Sequence, residues 1–196
     1  MDYALIHQAK FNIKPSGDAY FISEDSPRLF LIADGLGSGK KARHAADMAI
    51  SLAKKACLTP PSEGHDFLLL LFQHCHQKLK HSRGAALGAV LLDSENSKLL
   101  FCGVGNIRLV VAGETIKSIS SQPGIIGSQI PRKISVKNVS MEDYITGFLF
   151  SDGISMRSVF KTAAHPYRLP EVLADEIEMI NGNTDDRTLI VFSIKD

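Results

Sequence analysis

The sequence has no long apolar run. Its densest, Phe67–Phe72, is far too short to span a bilayer. The first ten residues, MDYALIHQAK, have no basic segment leading into a long apolar stretch, so they are not expected to be a secretion signal. Cysteine is scarce. Cys57, Cys75 and Cys102 form an odd set without a CxxC pair, and read as buried thiols in a reducing cytosol. Neither sign of charge is in excess: the formal net charge is +1, which offers nothing to nucleic acid or to an anionic membrane. There is no internal repeat, low-complexity tract or linker rich enough to divide the chain. The 196 residues are enough for one sizeable core, so a single soluble, cytoplasmic domain over 1–196 is expected.

The stretch Leu29–Ala46 organises what is there. An apolar run from Leu29 to Ala33 reads as a buried strand and ends on Asp34-Gly35. Glycines follow at 37 and 39, then an alanine-rich helix. A carboxylate at the end of a buried strand is unfavourable unless positive charge meets it. Glycine after it lets the backbone fold close and turn a carbonyl toward the same point. One turn then offers two hard oxygen ligands, which suit Mg²⁺ or Mn²⁺. A solvated turn aspartate is the other reading of this stretch alone.

Before this strand, Tyr3–Lys10 alternates as an edge or half-buried strand, and Asp18–Ser23 is a short strand. Asp25-Ser26-Pro27 turns the chain into Leu29–Asp34, an antiparallel hairpin that places Asp18 beside Asp34. Two carboxylates brought together repel, so one is protonated or a cation sits between them. Lys40–Leu58 and Glu63–His81 have helical spacing of apolar residues. Within the second, His74-Cys75-His76 is not a zinc site. Residues two apart on a helix do not share a face, and no second pair completes four ligands. Cys75 reads as core and the histidines as surface. Short β-type runs follow at Ala85–Leu92, Lys98–Val104, Ile107–Ala112, Thr115–Ile119, Arg132–Val139 and Tyr144–Ser151. The last again ends in Asp-Gly, at Asp152-Gly153. A helix or short turn runs to Lys161, Pro170 opens a helix to Ile180, and Thr188–Ile194 is the last strand. This order is not the alternation of a parallel sheet. It fits antiparallel sheets covered by helices, an α+β architecture.

Four aspartates stand at strand ends beside small or turn residues: Asp18, Asp34, Asp152 and Asp185. Each alone is ordinary turn chemistry. Together, if the strands are neighbours, they form an acidic cluster that two divalent ions would neutralise, while activating water near neutral pH. Gly-Leu-Gly-Ser-Gly-Lys-Lys is not a nucleotide phosphate loop: the first glycine of that pattern falls on Asp34, and Lys41 stands where Ser or Thr is required.

The ordered series SGD at 16–18, ADGxGxG at 33–39, AA at 45–46, RGA at 83–85, VGN at 104–106, FSDG at 150–153 and DDRT at 185–188 resembles a known family. It is similar to the metal-dependent Ser/Thr phosphatases of the 2C type (the PPM family), in their short bacterial SpoIIE/RsbX branch. The resemblance implies two antiparallel sheets packed as a sandwich, with helices on both outer sides. It implies attack on a phosphoserine or phosphothreonine by a water bridging two Mn²⁺ or Mg²⁺ ions, one of them weakly held. Carried over by position, Asp34 bridges both ions, the Gly35 carbonyl binds one, Asp152 and Asp185 hold the other, and Asp18 lies beside the first; Asp186 is secondary. The implied partners are phosphorylated stressosome-type (STAS-domain) scaffold proteins, met by a monomer in negative feedback of a stress response. Three departures stand out. Lys14 is the nearest residue to the family's phosphate-binding arginine, and also reads as an exposed turn lysine. Gly17 replaces a common Glu, and Leu36 replaces a histidine suited to protonate the leaving group. A catalytically weak or silent phosphoprotein-binding member is therefore the alternative.

Overall fold

The structure, a computed structural model, describes residues 2–11, 14–24, 26–59, 63–94, 96–182 and 184–194. The strands are β1 (Tyr3–Gln8), β2 (Asp18–Ile22), β3 (Arg28–Gly35), β4 (Ala85–Asp93), β5 (Lys98–Val104), β6 (Arg108–Gly113), β7 (Ile116–Ser120), β8 (Val136–Val139), β9 (Tyr144–Phe150) and β10 (Arg187–Ser193). The helices are α1 (Lys40–Cys57), α2 (Gly64–Leu79), α3 (Met156–Ala163) and α4 (Pro170–Ile180). Among the described residues no helix is long and apolar enough to cross a membrane.

Two five-stranded antiparallel sheets form, ordered β1-β10-β9-β6-β7 and β2-β3-β4-β5-β8. Strand periodicity explains how they stack. In β3, Phe30 and Ile32 face one way and pack with Phe101, Leu109, Leu149, Ile190 and Phe192, so the two sheets meet face to face. Leu29, Leu31 and Ala33 face the other way, onto Ala45, Ala46 and Ala49 of α1 and Leu68 and Phe72 of α2. On the far side, Val110, Phe148 and Val191 carry Val159 of α3 and Leu173 and Ile177 of α4. The result is the expected α+β sandwich with helices on both outer sides.

The alanines of α1 let it lie close on the sheet, and Gly35 lets it lie closest. A Cβ at Gly35 would stand 1.9 Å from the Ala42 carbonyl oxygen. That approach locks the start of α1 against the end of β3.

Three local expectations change. The predicted strand Arg132–Val139 shrinks to Val136–Val139. The Gln122 side chain takes its first half: Oε1 accepts from Ser135 N at 2.7 Å and Nε2 donates to Lys133 O at 3.1 Å. These backbone groups therefore need no ladder partner. His76 is not simply a surface residue, since its Nδ1 accepts from Gly127 N at 3.1 Å and it is half-buried. Cys75 and Cys102 are buried thiols, pushed up to about 12 by burial, whereas Cys57 is only half-buried.

Candidate active site

Asp34 follows Phe30 and Ile32 on the inter-sheet face of β3, one residue before the strand ends. The β2–β3 register sets Asp18 directly opposite Asp34. The second sheet contributes from the same end. Asp152 follows β9, Asp185 and Asp186 precede β10, and Asn106 lies between β5 and β6. Asp18, Asp34, Leu36, Gly37, Asn106, Asp152, Asp185 and Asp186 together line a cleft of about 270 Å³. The four aspartates read from the sequence are thus brought to one place.

Their surroundings differ. Asp18 is buried, and its Oδ2 accepts from Ser151 Oγ at 2.7 Å and from Thr188 Oγ1 at 2.8 Å. It ties one sheet to the other. Asp34 is half-buried, while Asp152 and Asp185 are exposed. Asn106 Nδ2 donates to Asp34 Oδ2 at 3.1 Å and to Asp152 Oδ2 at 2.8 Å. One amide therefore stands between carboxylates of the two sheets, doing with two partial charges what a cation does with full charge.

Asp186 has a different job. Its Oδ1 accepts from Lys10 N at 2.8 Å and its Oδ2 from Gly17 N at 2.7 Å. It clasps both ends of the β1–β2 connection and so steadies Asp18. Arg187 is buried and bonds Gln8, the Asn181 and Gly182 carbonyls and Glu178. Lys14 is exposed and is not among the residues lining the cleft. Leu36 lines it and is half exposed.

The electrostatics follow from crowding. Asp34 is pushed up to about 8, first by burial and then by the neighbouring Asp18 charge, against the opposing pull of the Asn106 hydrogen bond. Asp18 is pushed up to about 6 by burial, with the Ser151 and Thr188 hydrogen bonds pulling the other way. Among the described residues, no three His, Cys, Asp or Glu side chains already stand as a closed ligand set. The donors nonetheless suit a hard divalent ion. They are all carboxylate oxygens, they converge from both sheets, and their negative charge is held at a disadvantage that a cation relieves. Asp34, Asp152 and Asp185, with Asp18 behind them, would hold it once the exposed Asn106 amide turns aside.

A pH dependence follows. Both carboxyls keep a proton in the folded chain that the unfolded chain gives up near pH 4, so the folded state binds more protons. The metal-free protein is expected to lose stability as pH rises from about 4 to about 8. Mn²⁺ should raise the thermal midpoint more at pH 8 than at pH 5. Scanning calorimetry with chelator and with Mn²⁺ checks both; a midpoint in chelator that climbs with pH across this window refutes the account of Asp34 and Asp18.

No family model matches the chain. It is 25% identical over 179 residues to the phosphoserine phosphatase RsbX of Bacillus subtilis (strain 168), covering 89% of this chain and 85% of that protein. A crystal structure of RsbX in complex with magnesium superposes with a TM-score of 0.79 at 21% identity, over 97% of this chain and 94% of that one. The chain has the fold of the PPM-type phosphatases. The serine/threonine phosphatase Stp1 from Staphylococcus aureus shares the fold of this chain at a TM-score of 0.85 and 15% identity, covering 99% and 95% of the two. A chain solved in work on the bacterial stressosome does so at 0.82 and 24%, covering 98% of each.

Asn106 has a role that the sequence does not assign, and Asp186, secondary in the sequence, clasps the β1–β2 connection. VGN was visible as a motif, but which carboxylates its asparagine would meet depended on how the sheets stack. Asp186 was distinguishable from Asp185 only by strand register.

Proposed function

We propose that this PPM phosphatase hydrolyses phosphoserine or phosphothreonine on a stressosome-type, STAS-domain scaffold protein in the cytoplasm, as a negative-feedback step of a bacterial stress response. The observation that carries the chemistry is the meeting of Asp34 and Asp152, from opposite sheets, on one Asn106 amide. Likeness to RsbX supports the substrate class and the partner. Asp34, Asp152 and Asp185, with the Gly35 carbonyl and Asp18, are the proposed ligands of two Mn²⁺ or Mg²⁺ ions. Bound there, the ions would supply positive charge to the phosphoryl group and an activated water for in-line attack.

The chain's own residues do the rest. Asp34 and Asp152 set the positions across the gap between the sheets. Asp18, held by Ser151 and Thr188, keeps the base of the cleft from closing. Asp186 holds the loop that leads into Asp18. Leu36 offers no proton to the leaving group, so the serine or threonine oxygen must take its proton from water or from the substrate protein. A modest enzyme that relies on its partner for positioning is expected.

The second reading, a member that binds phosphoprotein with little turnover, draws on the cleft having, among the described residues, no Lys or Arg in its lining. Hydrolysis of p-nitrophenyl phosphate and of a phosphorylated STAS-domain scaffold protein separates the two. Each is measured with Mn²⁺, Mg²⁺ or EDTA, on the wild type and Asp152→Asn. Metal-dependent turnover that falls by about 100-fold or more in the variant is expected. Binding of the phosphorylated scaffold without turnover under any metal favours the second reading.

A further inference from the structure

A phosphate monoester carries negative charge into a cleft lined by five aspartates: Asp18, Asp34, Asp152, Asp185 and Asp186. Metal ions bound there would meet the oxygens that face the acids. The oxygens that face outward still need donors, and among the described residues no Lys or Arg lines the cleft. Arg83 reaches its rim. The β3–β4 ladder ends with Gly35 opposite Ala85, and it continues for one more step, with Leu36 N donating to Gly84 O at 3.0 Å. The next residues along the two segments are Gly37 and Arg83.

The side chain follows the backbone. A Cβ built on Gly37 would stand 2.7 Å from Arg83 Nη1, so the guanidinium lies against a residue that lines the cleft. Gly37 has φ +93°, where a side chain would be strained as well as in the way. Arg83 is exposed, and among the described residues no hydrogen bond or ion pair engages its guanidinium. Its planar fork of N–H groups is therefore available, and it matches two oxygens of a phosphate at once.

We propose that Arg83 is the phosphate-binding residue of this enzyme, clamping the outward-facing oxygens of the substrate phosphate across Gly37. This rests on the phosphatase reading above. It assigns to the RGA segment a role in the reaction, and it assigns specificity for a doubly charged monoester over a diester, whose phosphate presents fewer charged oxygens to the fork.

The test uses the whole chain with Mn²⁺, p-nitrophenyl phosphate and a phosphoserine peptide as substrates, and inorganic phosphate as inhibitor. Arg83→Ala is expected to raise KM for both substrates, and the inhibition constant of phosphate, by about 10-fold or more. Its kcat should fall less than its KM rises, and Mn²⁺ affinity by titration calorimetry should be unchanged. Arg83→Lys should recover part of the loss, keeping charge without the fork. Lys55→Ala, at the last turn of α1, serves as a control for net charge. KM and phosphate inhibition in Arg83→Ala within about two-fold of wild type overturn the proposal. If the wild type shows no metal-dependent turnover, the phosphatase reading fails separately. Calorimetric binding of inorganic phosphate to the Mn²⁺-loaded protein then decides: loss in Arg83→Ala upholds the clamp, and unchanged binding removes it.

Discussion

Replacing Asp34 by alanine is expected to end metal-dependent hydrolysis and, without metal, to leave the protein no less stable at pH 8 than the wild type. The two outcomes have one cause. Asp34 is half-buried, opposite Asp18, and its carboxyl is pushed up to about 8 because the ionised form is unfavourable there. Removing it takes away a group that ions would relieve and that nothing else relieves fully. Residues one step removed from a metal typically contribute 10- to 100-fold to affinity or activity, so loss of a proposed direct ligand should exceed about 100-fold. Turnover with Mn²⁺ and thermal unfolding in chelator, measured on the same preparation, check the pair. A folded Asp34→Ala that still turns over substrate would sink the two-ion reading. A metal-free variant that melts well below the wild type at pH 8 would instead refute the account of its charge.

Gly35→Ala should be nearly as damaging, by another route. The φ of Gly35 is not the obstacle. Its new Cβ would stand 1.9 Å from the Ala42 carbonyl oxygen and 2.4 Å from its carbon, and both belong to the backbone of α1. Neither can rotate aside, so the first turn of α1 must shift or the end of β3 must move. Overpacking of this kind costs about 1–3 kcal/mol, occasionally more. At about 2–4 °C per kcal/mol for a chain of this size, the midpoint should fall by roughly 2–12 °C. Because Asp34 is the adjacent residue, activity should fall even at temperatures where the variant is folded. Thermal unfolding followed by circular dichroism, with turnover measured well below the midpoint, tests both parts. An unshifted midpoint would show that α1 yields more easily than its contact with Gly35 implies.

How much could be read beforehand depended on how far apart in the chain the partners lie. The Asp18–Asp34 pairing was legible because a short turn joins β2 to β3 and alternation sets the register. The meander β4–β5 was legible for the same reason. The placement of β10 between β1 and β9 was not, since β1 pairs with residues 179 to 189 positions later. Apolar alternation announces a strand without naming its neighbour. The Arg132–Val139 strand was overestimated because a side chain, Gln122, took backbone groups that the pattern assigned to a ladder. In the cleft, the acids stood out by their strand-end positions. Asn106 and the Asp186 clasp did not, because turn residues of their type are common and only the stacking of the sheets gives them partners.

The position of β10 has a consequence for the ribosome. Both Asp185 and Asp186 stand immediately before it, and β1, made first, has no partner strand until β10 emerges. From the emergence of Asp152 until β10 follows, the nascent chain therefore holds Asp34 and Asp152 with neither the clasp on the β1–β2 loop nor the Thr188 hydroxyl that secures Asp18. A product cut short before Asp185 loses an interior strand of a sheet together with two acids of the cleft. On the proposed function, competence to act on a phosphoprotein thus arrives with β10, and a copy that stops short of Asp185 lacks it.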